Sequence, residues 1–208
     1  RDRPARLSVF SCVEFCLWDA WDDQTNYQRN FNTGEVEVDA SAGVIYHKTE
    51  YRERRDHYAF YTVNSDIAGF DTDRDSFLGP YNGFDRPATV FDGGPVNSVA
   101  HGWSPVASHC LQLTLEPGDS AEYVFQLGYV EVPDEQKWES PGVVNKQPAR
   151  ELIARYDSPG KVMAALDALE RFLAEPGVRE AVAAREILPA REAVFAPFPE
   201  WLDQRLVD

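Results

Sequence analysis

Cysteine is scarce in this chain: three among 208 residues, an odd number that cannot close into a full set of disulfides. Cys12 and Cys16, if they share a strand, lie about 13 Å apart, beyond disulfide reach. The chain therefore reads as reduced and cytoplasmic. Basic residues are also few, 20 Lys and Arg against 35 Asp and Glu, for a net charge of −15. Nucleic acid is a polyanion that needs a basic face, so it is an unfavourable partner, and an anionic membrane surface is disfavoured by the same sign. No apolar run approaches the roughly 18 residues of a membrane span. The charged start, Arg1-Asp2-Arg3-Pro4-Ala5-Arg6, is followed by alternation and not by the apolar core of a signal peptide. No Gly-x-Ser-x-Gly elbow, P-loop or dinucleotide fingerprint occurs. His47, His57, His101 and His109 lack the spacing of a helical ligand pair, and no cysteine pair has zinc-ribbon spacing, so no metal ligand set is assigned.

What is present is an ordinary globular balance, 43% hydrophobic and 26% charged, which argues against disorder. Aromatic residues reach 12%, with five Trp and nine Tyr, as suits a β-rich or sugar-facing protein. From Arg1 to about Pro133 the pattern is β. Residues 7 to 17 are apolar on both faces, as in a strand covered on both sides. Gly34-Glu35-Val36-Glu37-Val38-Asp39 alternates as a half-exposed strand, valines in and carboxylates out. Residues 44–50 and 57–64 read as two more strands. Residues 109–115 and 121–130 read as a hairpin about the turn Glu116-Pro117-Gly118-Asp119. Residues 64–99 form a long, Gly/Pro/Asp-rich segment whose aromatic residues should pack it as a layer. Helices begin near Pro148. Ser158 can cap a helix with Pro159 at its first position and an apolar stripe of Val162, Leu166, Leu169, Phe172 and Leu173. Residues 178–188 read as a further helical stretch.

Three stretches invite chemistry. Asp71-Thr72-Asp73-Arg74-Asp75 imitates the start of an EF-hand loop. Ser76 stands where Gly is needed and Asn82 where Glu is needed, so an Asp-rich turn bonding backbone amides and pairing with Arg74 is the plainer reading. Residues 47–56 mix both signs densely, either as an anion cradle or as a ladder of paired charges. Trp18 to Asn30 joins two indoles, Asp19, Asp22 and Asp23, and a run of amide and guanidinium donors. Sugar contact is one reading and a structural capped loop the other. A glycosidase carboxylate pair is disfavoured because the three aspartates crowd one loop, leaving no room for a sugar ring between them.

In order, Asp22-Asp23-Gln24-Thr25-Asn26-Tyr27-Gln28-Arg29-Asn30 with 33–38, residues 44–58, Ile67-Ala68-Gly69-Phe70-Asp71-Thr72-Asp73-Arg74-Asp75-Ser76-Phe77-Leu78-Gly79, and Asn97-Ser98-Val99-Ala100-His101-Gly102-Trp103-Ser104-Pro105 resemble glycoside hydrolase family 94, the cellobiose phosphorylase-like enzymes. The resemblance runs from about Arg1 to Tyr156 and ends beyond about Glu175. It implies a mainly β fold, an antiparallel β-supersandwich segment followed by two or three α-helices. The implied division is a supersandwich segment at 1–133, a connecting loop at 134–147 and a helical linker region with an atypical tail at 148–208. Earlier strands are expected before Arg1, and the family's catalytic barrel lies outside this sequence. The implied parent activity is inverting phosphorolysis of a β-glucosidic disaccharide such as cellobiose to α-glucose 1-phosphate. Inorganic phosphate is then co-substrate and no cofactor is needed. Gln28, Arg29 and Asn30 are implied at the acceptor-sugar subsite, with no catalytic residue in this chain, which should be non-catalytic alone. The disaccharide or glucose, phosphate and a second subunit of a homodimer are the implied partners. A free-standing carbohydrate-binding or dimerisation module is the alternative.

Overall fold

A computed structural model describes residues 2–15, 34–49, 56–101, 105–175 and 177–178. Among these, strands β1 (Ala5–Glu14), β5 (Gly69–Asp71) and β6 (Val106–Leu115) form one antiparallel sheet in the order β1-β6-β5. A second antiparallel sheet runs β2 (Gly34–Asp39), β3 (Val44–Thr49), β4 (His57–Val63), β7 (Phe125–Glu131). Helices α1 (Arg74–Leu78) and α2 (Ala88–Asp92) lie between β5 and β6 in the chain. After β7 come α3 (Asp134–Lys137), the small ribbon β8 (Trp138–Ser140) and β9 (Val143–Val144), then α4 (Gln147–Arg155) and α5 (Pro159–Leu173).

The layers follow from the side-chain alternation. Val36, Ile45, Ala59 and Tyr61 face the first sheet and meet Phe15, Ala100 and Ala107 in one core. The residues between them, Val44, Tyr46, Tyr58 and Phe60, face the other way and pack with Val130, Val144 and Ala149 beneath α4 and the ribbon. A third cluster, Phe77 and Leu78 of α1 with Val106, covers the far side of the first sheet. Strand β4 is consequently buried at every position, which is why His57 to Val63 carries no exposed polar face. Each fully buried side chain of Ile45's size stabilises the fold by about 1.5–3 kcal/mol.

Several expectations are revised. The strand covered on both faces is β4, not β1. Only the C-terminal half of β1 is packed, while Arg6 to Ser8 are exposed on an edge strand. The Glu116–Asp119 turn forms, with Asp119 N–H donating to Glu116 O at 3.0 Å and Gly118 at φ 91°. It does not make a hairpin, because β6 pairs with β1 and β5 while β7 pairs with β4. The Asn64 side chain and main chain hold Val124, which steers the chain into the other sheet. In the 64–99 layer Phe77 and Leu78 are buried, but Tyr81, Phe84 and Phe91 face solvent, with Arg74 over the Phe84 ring and Arg86 over that of Phe91. Ser158 sits at the N-cap of α5 without a side-chain cap bond, and of the α5 stripe only Leu173 is buried. Residues 179–188 of the further helical stretch lie outside the described residues.

Gly128 of β7 lies opposite Phe60 of β4, and a Cβ there would come within 2.6 Å of the ring. Gly128→Ala should therefore destabilise the fold by about 1–3 kcal/mol in urea melts, and pairing it with Phe60→Leu should recover part of the loss.

Candidate functional site at one end of the sandwich

One end of the sandwich gathers the polar stretches singled out from sequence. Glu14 at the end of β1 pairs with Val106 at the start of β6. Gly34 at the start of β2 pairs with Thr49 at the end of β3, and Lys48 pairs with Tyr58 at the start of β4. Glu35 bridges His101. Stretches 16–33, 50–55 and 102–104 therefore all leave from and return to this end. Gln28, Arg29 and Asn30, with Asp19, Asp22 and Asp23, lie outside the described residues, as do residues 50–55 of the charged run.

The described rim is held by specific polar contacts. Lys48, nearly buried, donates to Gly142 O at 2.7 Å and pairs with Glu35 at 3.2 Å. His57 is clamped between Asp56, 2.6 Å from Nδ1, and Glu131, 3.6 Å from Nε2, and stacks on Tyr129. The His47 ring sits 5.0 Å from Phe15. Histidines 47, 57 and 109 are buried and His101 is exposed.

Behind this rim, Asp71 acts as a clamp. Fully buried, it accepts from the Val96 and Ser98 amides at 3.3 and 3.0 Å and from the Ser98 hydroxyl at 2.7 Å. Thr72 extends the clamp, its hydroxyl accepting from Ala100 N–H at 2.8 Å while its carbonyl accepts from Val106 N–H at 2.9 Å. Together they fix both flanks of residues 102–104. Asp73 caps α1 through Ser76 N–H. The Asp-rich turn thus bonds backbone amides as expected, with one correction: Arg74 pairs with Glu14 of β1 and not with the aspartates.

The carboxylates of β2 face the C-terminal layer. Glu37 accepts from Val144 N–H and pairs with Lys146, and Asp39 pairs with Arg150 at 3.5 Å. The Ser41 hydroxyl bond, the Ala42 amide and the Arg150 and Lys146 charges together outweigh burial and hold the Asp39 carboxyl below its usual range. A general acid needs the opposite shift. Glu131 beside His57, and Lys146 and Arg150 opposite β2, were not found from sequence because each lies more than seventy residues from its partner. The only available signal was that β2 alternation demands partners for its outward carboxylates. Cys12, on β1, has a thiol pushed up to about 11 by burial, so it is a poor nucleophile.

Two facing antiparallel sheets with helical cover define a β-sandwich domain. The chain belongs to the glycosyl hydrolase 94 supersandwich domain family, whose sequence profile matches residues 1–159. Two curated relatives, the N,N'-diacetylchitobiose phosphorylases of Vibrio furnissii and Vibrio proteolyticus, are each 29% identical over 136 residues. The match takes in 61% of this chain and 16% of each relative, so the chain spans only a small part of their length. Among the described residues no helix is long and apolar enough to cross a membrane.

His109, in the core between the sheets, stacks on Tyr61 at 5.1 Å, and burial pulls its pKa down to about 4. The unfolded chain takes up this proton near pH 6.5, the folded one only near 4. Stability from this group is therefore complete above about 6.5 and falls as pH drops towards 4, by about 3 kcal/mol. Urea melts from pH 7.5 to 4 should show that slope, and His109→Phe should flatten it.

Proposed function

We propose that the chain is the non-catalytic supersandwich part of an inverting disaccharide phosphorylase. Its role is to bring the loop of Gln28, Arg29 and Asn30 to the acceptor sugar, where amide and guanidinium groups donate to hydroxyls. The observation that carries this reading is topological: the three polar stretches are anchored at one end of a rigid sandwich whose core and clamp hold their stems. In the proposed parent reaction phosphate attacks the anomeric carbon from the face opposite the leaving group. One carboxylic acid, supplied outside this chain, protonates the glycosidic oxygen, and the product is an α-sugar 1-phosphate with inverted configuration. Phosphate is the co-substrate and no cofactor takes part. The substrate is a β-linked disaccharide: cellobiose on the family resemblance, N,N'-diacetylchitobiose on the names of the matched relatives. A homodimer in a reducing cytoplasm completes the reading.

A second reading, a sugar-binding module, is favoured by one feature. The exposed half of the β1–β6 ribbon carries a shallow groove of about 470 Å³ lined by Arg6, Ser8, Gln112 and Thr114. Binding of cellobiose that Gln112→Ala abolishes would support it.

The first test gives the folded 208-residue chain α-glucose 1-phosphate with glucose, and in parallel the N-acetylated pair, and measures phosphate release. No release is expected, and sustained turnover would overturn the non-catalytic role. In an intact phosphorylase carrying this domain, Arg29→Ala should raise the acceptor KM about tenfold and leave the phosphate KM nearly unchanged. An equal effect on both would contradict the acceptor role.

A further inference from the structure

Helix α5 turns an apolar stripe outward. Met163, Leu166, Leu169 and Phe172 are 57%, 48%, 39% and 42% exposed. The stripe continues into a groove of about 390 Å³ between β7 and the helices, where Leu127, Tyr156 and Val162 form part of the lining. Leu127 is itself 55% exposed. A helix of fifteen residues is marginal in water unless its apolar face is covered. The face lies almost wholly beyond residue 159, where the family match ends.

We propose that this face is the docking site of the chain's own residues 179–208. Leu173 ends α5, and the segment begins six residues later. Thirty residues reach about 100 Å when extended, against about 22 Å for the length of α5. The segment carries Phe195, Phe198, Trp201, Leu202 and Leu206. Pro189, Pro197 and Pro199 favour extended backbone that can lie in a groove at low entropic cost. Tethering gives the segment an effective concentration of about millimolar at the face. A second copy has no such tethering advantage at this face.

Met163 is the chain's single methionine, so its oxidation by peroxide, followed in the peptide that carries it, reads the cover on this face. In the full chain Met163 should oxidise at least about fivefold more slowly than in urea, independently of protein concentration. Phe198→Glu with Trp201→Glu should restore the fast rate, with circular dichroism reporting that the fold persists. The reciprocal variant Leu169→Glu should make chymotrypsin cut at Phe198 and Trp201 at least about fivefold faster. Equal Met163 rates in the full chain and the double variant, or tail cleavage indifferent to Leu169→Glu, would overturn the proposal. Protection that disappears on dilution, with a dimer in sedimentation velocity, would overturn it in favour of a second copy.

Discussion

Burial of β4 on both faces is the constraint on which the rest of the structure depends. A strand with Ala59 and Tyr61 on one side and Tyr58 and Phe60 on the other exposes apolar surface wherever a layer is missing. Both layers must therefore be present for the fold to be stable. The first sheet supplies one, and α4 with the small ribbon supplies the other. Each layer is also fastened by polar groups in the core's margin. The Tyr58 hydroxyl donates to Asn145 O at 2.8 Å and accepts from Ala149 N–H at 3.2 Å. That single phenol ties the start of α4 to the central strand, and its own ionisation is pushed up to about 12 by burial.

The same constraint explains where the acidic residues go. Outward carboxylates on β2 would be stranded beneath the C-terminal layer unless cations met them, and Lys48, Lys146 and Arg150 do so. Removing one partner of such a half-buried pair costs more than the pair itself contributes, because the other charge is left poorly solvated. A chain with fifteen excess negative charges thus spends part of its scarce basic residues on joining layers.

The legible part of the sequence was the part governed by local rules. Gly34 to Asp39 declared itself by strict alternation, and 57–63 by its aromatic and β-branched content. The run at 7–17 misled because apolar character on both faces does not say how far a neighbouring layer extends. The Pro-Gly turn was read correctly and its topology wrongly, since a tight turn fixes direction over four residues and not the partner chosen ten residues on. The Asp71 clamp was half legible: an Asp-rich turn is a local signal, but its acceptor role for Val96 and Ser98 depends on a loop some twenty-five residues away. Gln28, Arg29 and Asn30 lie outside the described residues, and the convergence of the stems of stretches 16–33, 50–55 and 102–104 needed strand pairing, which no local pattern supplies.

That convergence bears on why a phosphorylase would carry such a domain. Hydrolysis by inversion needs two carboxyl groups, one to protonate the leaving oxygen and one to activate water. Phosphorolysis needs only the first, because phosphate arrives already nucleophilic. The second side of the reaction then becomes a problem of holding two substrates in line, and precise positioning can lower a barrier as effectively as a second catalytic group. A sandwich suits that task. Its described stems are held by Asp71, Thr72 and the Glu35–His101 bridge, which fix points where the polar stretches leave and rejoin the sheets. On the proposed reading, the contribution of this domain to the rate is the positioning that its anchored stems provide.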